Sequence, residues 1–239
     1  MALIRQLVTE YIIFPLGSKL VRNRIPEWCR SILFYGPTGT GKTQVVRACA
    51  TETKSMVFDL SPMNIDSKFN DSNAKTETMI AMVFVVAKEY QPAIVYIDEA
   101  EKIWPSKKKK KKGQKKAKKN DMSDPKRIQK ALSKWRTKWI NDETRITIVC
   151  CSSEPQNANK KKLKKFFDKA IYFPFPDYTT RRLMWRTFIY QLGGTLKNEF
   201  PLSTLAHISA GYSAGSIKKT CENVLTEFRK DKVSQFNEA

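Results

Sequence analysis

Residues 36–43 read Gly-Pro-Thr-Gly-Thr-Gly-Lys-Thr, and this stretch decides the fold. It fits the phosphate-loop pattern G-x-x-x-x-G-K-[ST] in full, with Gly36, Gly41, Lys42 and Thr43 at the defining positions. The flanks supply the context that the pattern requires. Ser31–Tyr35 (S-I-L-F-Y) is an apolar run of strand length, and Lys42–Glu52 is rich in helix formers. Glycines let a backbone curl until its N–H groups face phosphate oxygens, and the following helix N-terminus adds partial positive charge. In such a loop Gly36, Pro37, Thr38, Gly39, Thr40 and Gly41 form the cradle. Lys42 reaches the β- and γ-phosphates, and the Thr43 hydroxyl is a magnesium ligand.

Working outward, short apolar runs alternate with helical stretches. Met56–Leu60, Ala93–Ile97, Arg145–Cys151 and Ala170–Phe173 read as further strands. Ala74–Tyr90 and Pro125–Ile140 read as helices, the second with Ile128, Leu132, Trp135 and Trp139 at apolar positions. Runs that are mostly apolar suit parallel strands covered on both faces, joined by right-handed crossovers. After Pro176 the pattern turns wholly helical: Asp177–Leu192 with an acidic N-cap, then Pro201–Ala210, then Ser216–Lys230. The expectation is an α/β domain over 1–176, a parallel sheet with flanking helices, followed by a small helical lid over 177–239. A second chemical signal sits in Ile94–Glu99, I-V-Y-I-D-E. An acid at the end of a buried strand, downstream of a phosphate loop, is placed to hold magnesium. Asp98 takes that role, and Glu99 is the candidate to polarise an attacking water.

Lysine plus arginine totals 44 against 23 acids, a net charge of +21 over 239 residues. The charge is local. Residues 107–119 hold ten lysines and no acid, and 160–165 hold five more, which leaves +6 on the rest of the chain. A tract such as 107–119 buries no apolar area and repels itself, so it reads as a disordered insertion. It is either a solvated loop or a contact for an anionic surface. Nucleic acid is not the expected partner, because no base-reading module or interleaved aromatics accompany the charge. The five cysteines have no C-x-x-C spacing and the single histidine, His207, has no ligand neighbours, so zinc lacks a site and a reducing compartment fits. No apolar stretch is long enough to span a bilayer, so no membrane partner is expected. His207, the Cys150–Cys151 pair and the Trp135–Trp139 pair all have packing as their simpler reading.

The residues quoted so far resemble an AAA ATPase module: a P-loop α/β domain plus helical lid. Three further segments fit that family. Ile146–Pro155 (I-T-I-V-C-C-S-S-E-P) lies where AAA proteins carry the first sensor strand, Ile171–Asp177 (I-Y-F-P-F-P-D) resembles the lid entry, and Gly211–Ile217 (G-Y-S-A-G-S-I) resembles the start of the lid helix. The resemblance implies ATP and Mg2+ as cofactors, with Ala214 and Gly215 packing near adenine. A narrower similarity, in F-P-L-G-S at 14–18, L-S-P-M-N at 60–64, D-P-K-R-I at 124–128 and P-D-Y-T-T-R at 176–181, is to the IQ-motif-and-AAA-domain proteins. That family includes a subunit of the nexin–dynein regulatory complex of motile cilia. It implies a place in the cytoplasm and cytoskeleton, on the ciliary axoneme, as a subunit of a larger assembly. Its neighbours would be axonemal proteins and the doublet microtubule, with acidic tubulin tails meeting Lys107–Lys119.

Three departures from the AAA pattern bear on catalysis. The first-sensor asparagine aligns with Ser153, a shorter group. The segment that usually supplies arginine fingers reads K-K-L-K-K-F-F-D at 161–168. Lysine lacks the bidentate fork of arginine, and a finger is worth roughly 10³–10⁵ in rate. The pore-loop position reads Phe69-Asn70-Asp71, which keeps only the aromatic. The expectation is a nucleotide-binding structural or regulatory module with slow hydrolysis. The alternative is an active oligomeric ATPase that remodels a microtubule-associated substrate, and the intact Lys42, Asp98 and Glu99 favour it.

Overall fold

The structure is a computed structural model that describes residues 2–25, 28–65, 73–106, 127–141, 143–194, 196 and 200–226. The Lys107–Lys119 tract and Phe69–Asp71 lie outside the described residues. The chain divides into two compact units, one of residues 2–36 and 42–172, the other grouping 37–41 with 173–239.

The larger unit opens with helix α1 (Ala2–Val8), a π-helical turn over Thr9–Ile13, α2 (Phe14–Gly17) and α3 (Lys19–Arg24). Val8, Ile12 and Leu16, four residues apart, form their buried seam. Ser18 caps α3 by accepting the Val21 N–H at 3.5 Å. Then come β1 (Ser31–Tyr35), α4 (Lys42–Thr53), β2 (Met56–Asp59), α5 (Pro62–Ile65), α6 (Asn73–Glu89), β3 (Ala93–Ile97), α7 (Ala100–Ile103) and α8 (Arg127–Trp139). β4 (Ile146–Ser152), α9 (Lys160–Phe166) and β5 (Lys169–Tyr172) complete it. Among the described residues the sheet has five strands, all parallel, in the order β2-β3-β4-β1-β5. Burial follows the order. The three inner strands are buried along nearly their whole length, whereas the edge strands β2 and β5 are largely exposed. Ile32, Phe34, Ile94, Ile97 and Ile148 are all fully inaccessible. Each such side chain contributes about 1.5–3 kcal/mol of burial.

The lysine run at 160–165 proves to be a helix. Asn159 caps α9 by accepting the Lys162 N–H at 3.2 Å. Leu163 and Phe166 are buried, so the lysines are the outer face of an amphipathic turn. Trp104 stacks on Phe166 and Phe167, with ring centroids 4.7 and 5.4 Å away, and the Asn159 N–H donates to the Trp104 carbonyl at 2.7 Å.

The smaller unit holds α10 (Tyr178–Gln191), α11 (Leu202–Ile208) and α12 (Ala214–Val224). Asp177 is the N-cap of α10, accepting the Thr180 N–H at 3.1 Å, and hydrogen bonds from the Thr180 side chain and then its backbone hold the Asp177 carboxyl below the usual value. Trp185, Ile189, Ile217 and Cys221 form the core, and the Trp185 indole N–H donates to Ser209 Oγ at 3.0 Å. Among the described residues no helix is long and apolar enough to cross a membrane.

Candidate nucleotide site

Residues 36–43 join β1 to α4, as the motif requires. In the larger unit the Gly36 N–H donates to the Ser152 carbonyl at 3.2 Å, which ties the loop's start to the end of β4. Lys42 is buried, and its Nζ donates to the Gly36 carbonyl at 2.8 Å. Burial lowers its pKa, against the pull of Cys151, Asp98 and Glu101. The Cys151 thiol is itself pushed up to about 12, first by burial and then by Asp98. The Lys42 ammonium is thus a buried cation folded back on its own loop.

Thr43 stands at the start of α4, and its Oγ1 lies 3.2 Å from the Tyr96 hydroxyl. Asp98 follows the last residue of β3. Its backbone N–H donates to Ser61 Oγ at 2.9 Å, Ser61 Oγ donates to Asp59 Oδ1 at 2.5 Å, and Asp98 Oδ1 accepts the Glu99 N–H at 2.9 Å. Thus β2 and β3 fix the acid's backbone from two sides. Glu99 sits in the left-handed region at φ +49°, a conformation that costs a non-glycine residue roughly 1–2 kcal/mol. Its carboxylate pairs with Lys102 Nζ at 2.5 Å. Ser153 lies just past β4 and is half-buried, and the adjacent Ser152 Oγ donates to Glu101 Oε2 at 2.6 Å.

In the smaller unit, residues 37–41 form a tight turn in which Thr40 Oγ1 donates to the Pro37 carbonyl at 2.9 Å. Gly39 and Gly41 take φ of +75° and +93°, which only glycine adopts without strain. Ser213 caps α12 by accepting the Ser216 N–H at 3.2 Å. The Gly215 N–H donates to the Gly39 carbonyl at 2.9 Å, and a Cβ on Gly215 would meet the Gly39 Cα at 3.3 Å. Gly39 and Gly215 are therefore brought together, with Ala214 the first residue of the same helix.

The donor set fits magnesium. This ion keeps several waters and needs only one or two protein oxygens beside substrate phosphates. Thr43 and Asp98, on adjoining elements, are the oxygens that would supply them. Among the described residues no cluster of three or more His, Cys, Asp or Glu side chains could hold a metal on its own. The sequence reading overlooked Tyr96, Ser61, Glu101, Ser152 and Lys102. Tyr96 was hidden because its ring completes an apolar strand, although its hydroxyl is the only side-chain oxygen in Ala93–Ile97.

The family model for the ATPase family associated with various cellular activities (AAA) matches residues 32–175, the whole of the five-stranded sheet but for Ser31. The chain belongs to the AAA family. This AAA chain is 35% identical to mouse dynein regulatory complex protein 11 over 231 residues, covering 95% of the chain and 26% of that relative. It is 26% identical to spastin of Anopheles gambiae over 225 residues, covering 93% of the chain and 25% of spastin. Its span is thus about a quarter of the length of these curated relatives. A solved structure described as the structural basis for katanin self-assembly superposes with a TM-score of 0.72 at 22% identity, over 94% of this chain and 68% of that one. The likeness confirms the AAA fold.

Proposed function

We propose that this AAA chain binds ATP with magnesium and serves as a structural or regulatory component of the ciliary axoneme, with slow hydrolysis. The observation that carries the nucleotide reading is the cradle itself: a buried Lys42 turned onto its own loop, with Thr43 and Asp98 beside it. Gly36, Pro37, Thr38, Gly39, Thr40 and Gly41 provide backbone for the phosphates. Lys42 holds the terminal phosphates, and Thr43 and Asp98 hold the metal. Magnesium, when bound, neutralises phosphate charge. Glu99 polarises the attacking water, and Ser153 occupies the sensor position.

Slow turnover is supported by three features. Ser153 is short, lysines stand at 164 and 165 in place of arginine, and the Glu99 carboxylate is already engaged by Lys102 Nζ at 2.5 Å. The axonemal reading rests on the similarity to dynein regulatory complex protein 11 along 95% of the chain. The tract at 107–119 begins one residue after Ser106, whose N–H donates to the Asn157 carbonyl at 2.8 Å. It would engage an acidic surface, such as tubulin tails on the doublet microtubule.

Steady-state ATPase across protein concentration tests the catalytic part. The proposal expects slow turnover that is indifferent to concentration. Turnover that rises with assembly and is abolished by Glu99→Gln favours the second reading, an active oligomeric ATPase, which the intact Lys42, Asp98 and Glu99 and the likeness to spastin support. Microtubule cosedimentation tests the partner. Binding should weaken steeply as the Debye length falls from about 10 Å at 0.1 M salt to about 3 Å at 1 M. It should also fall on deletion of 107–119, and indifference to that deletion would leave the tract as a solvated insertion.

A further inference from the structure

We propose that the Tyr96 hydroxyl is a positioning group for Thr43, setting the rotor of the loop's threonine so that its lone pairs face the metal position. The inference rests on the nucleotide reading above and adds a residue that neither the motif nor the strand pattern assigns.

Tyr96 and Asp98 are two residues apart on β3 and its extension, so both side chains leave the same face of the sheet. Tyr96 is 7% exposed, which fixes its ring among packed neighbours, and its hydroxyl lies 3.2 Å from Thr43 Oγ1. A phenol hydroxyl has one proton to give and lone pairs to receive another. A threonine serving a metal has the complementary need. Its oxygen lone pair goes to the ion, so its O–H must find an acceptor elsewhere. The Tyr96 oxygen stands where it can take that proton, while its own O–H remains for Asp98, which lies on the same side. Thr43 and Asp98, the two residues assigned to the metal, are thereby linked through one rigid ring. Without the hydroxyl, Thr43 retains its position on α4 but loses the partner that selects its rotamer.

The test is Tyr96→Phe, which removes one oxygen and keeps the ring. ATP affinity is measured by titration calorimetry with magnesium and with EDTA, for wild type and variant, alongside the thermal melt. The result expected is an unchanged melt, unchanged affinity in EDTA, and a magnesium enhancement reduced about two- to tenfold, the worth of one net hydrogen bond. In a Thr43→Val background, Tyr96→Phe should have no further effect on the magnesium enhancement. An unchanged enhancement in Tyr96→Phe overturns the inference. So does an equal loss in both buffers, a lost cooperative melt, or an effect that persists in the Thr43→Val background, since each marks the hydroxyl as merely structural. Wild-type protein that binds ATP in neither buffer overturns the nucleotide reading as well, so the two failures are distinguishable.

Discussion

Replacing Asp168 by alanine should unfasten the sheet at the base of the strand that carries the phosphate loop. Asp168 Oδ2 accepts the Arg30 N–H at 2.8 Å and the Ser31 N–H at 3.0 Å, and Oδ1 pairs with the Arg136 guanidinium. Arg136 also donates from Nε to Ser31 Oγ at 2.9 Å, and Ser31 Oγ donates to the Phe166 carbonyl at 2.6 Å. One carboxylate thus joins the start of β1, helix α8 and the end of α9. Water can replace it at Arg30, where the bond is exposed. It does so less readily at Ser31, which is fully buried, and an unsatisfied buried donor costs about 1–3 kcal/mol. The pair with Arg136, whose side chain is only 15% exposed, adds about 1 kcal/mol. The sum predicts a loss of about 2–4 kcal/mol. Asp168→Asn keeps an acceptor for the backbone but turns neutral toward Arg136, and should lose about half as much. Urea unfolding followed by tryptophan fluorescence reads this unit well, because Trp28, Trp104, Trp135 and Trp139 lie in it and only Trp185 lies elsewhere. An alanine variant within about 0.5 kcal/mol of wild type would refute the reasoning.

The two strained glycines of the loop should differ in cost. A Cβ on Gly41 meets nothing within 4 Å, so Gly41→Ala carries backbone strain of about 1–2 kcal/mol, whereas a Cβ on Gly39 would sit 2.6 Å from Ser213 Oγ and displace the α12 cap as well. Urea melts should place Gly39→Ala at least about 1 kcal/mol below Gly41→Ala, with Ser213→Ala recovering part of the difference; equal costs would remove the packing argument. The five cysteines are buried and form no disulfide. Burial raises the Cys49 thiol to about 11 and the Cys151 thiol to about 12, so the reactive thiolate is scarce until pH rises toward those values. A thiol reagent at pH 8 should label native protein slowly and label five groups in denaturant, and rapid native labelling would contradict the burial.

The inner strands were legible because they are covered on both faces. Ser31–Tyr35 and Ala93–Ile97 read as continuous apolar runs and appear with the same bounds. Met56–Leu60 ends one residue sooner as a strand, at Asp59, and the Leu60 N–H makes the last bond to β3, donating to the Tyr96 carbonyl at 2.8 Å. The loop between β1 and α4, the acid that follows β3 and the Asp177 cap were legible because each is a local pattern. What escaped depended on tertiary partners. The N-terminal helices hide their Val8–Ile12–Leu16 seam among other apolar residues such as Ile4, Leu7, Ile13 and Phe14, and the π-helical turn between them breaks the usual period. Helix α9 was masked by its own lysines, because two buried residues in a run of cations signal nothing until Trp104 is placed above them. Tyr96 and Lys102 meet Thr43 and Glu99 by contacts that are known only once the strand ends are in place.

The central claim is that Lys42 and its loop bind adenine nucleotide, and calorimetric titration of ATP with magnesium into wild type and Lys42→Ala tests it most directly. Alanine removes the cation that faces the phosphates and leaves β1, α4 and the sheet in place. The account predicts that wild type binds and that Lys42→Ala, with its cooperative melt retained, loses at least about tenfold in affinity, the worth of one charge-assisted hydrogen bond. Equal ATP affinity in the two proteins would contradict it.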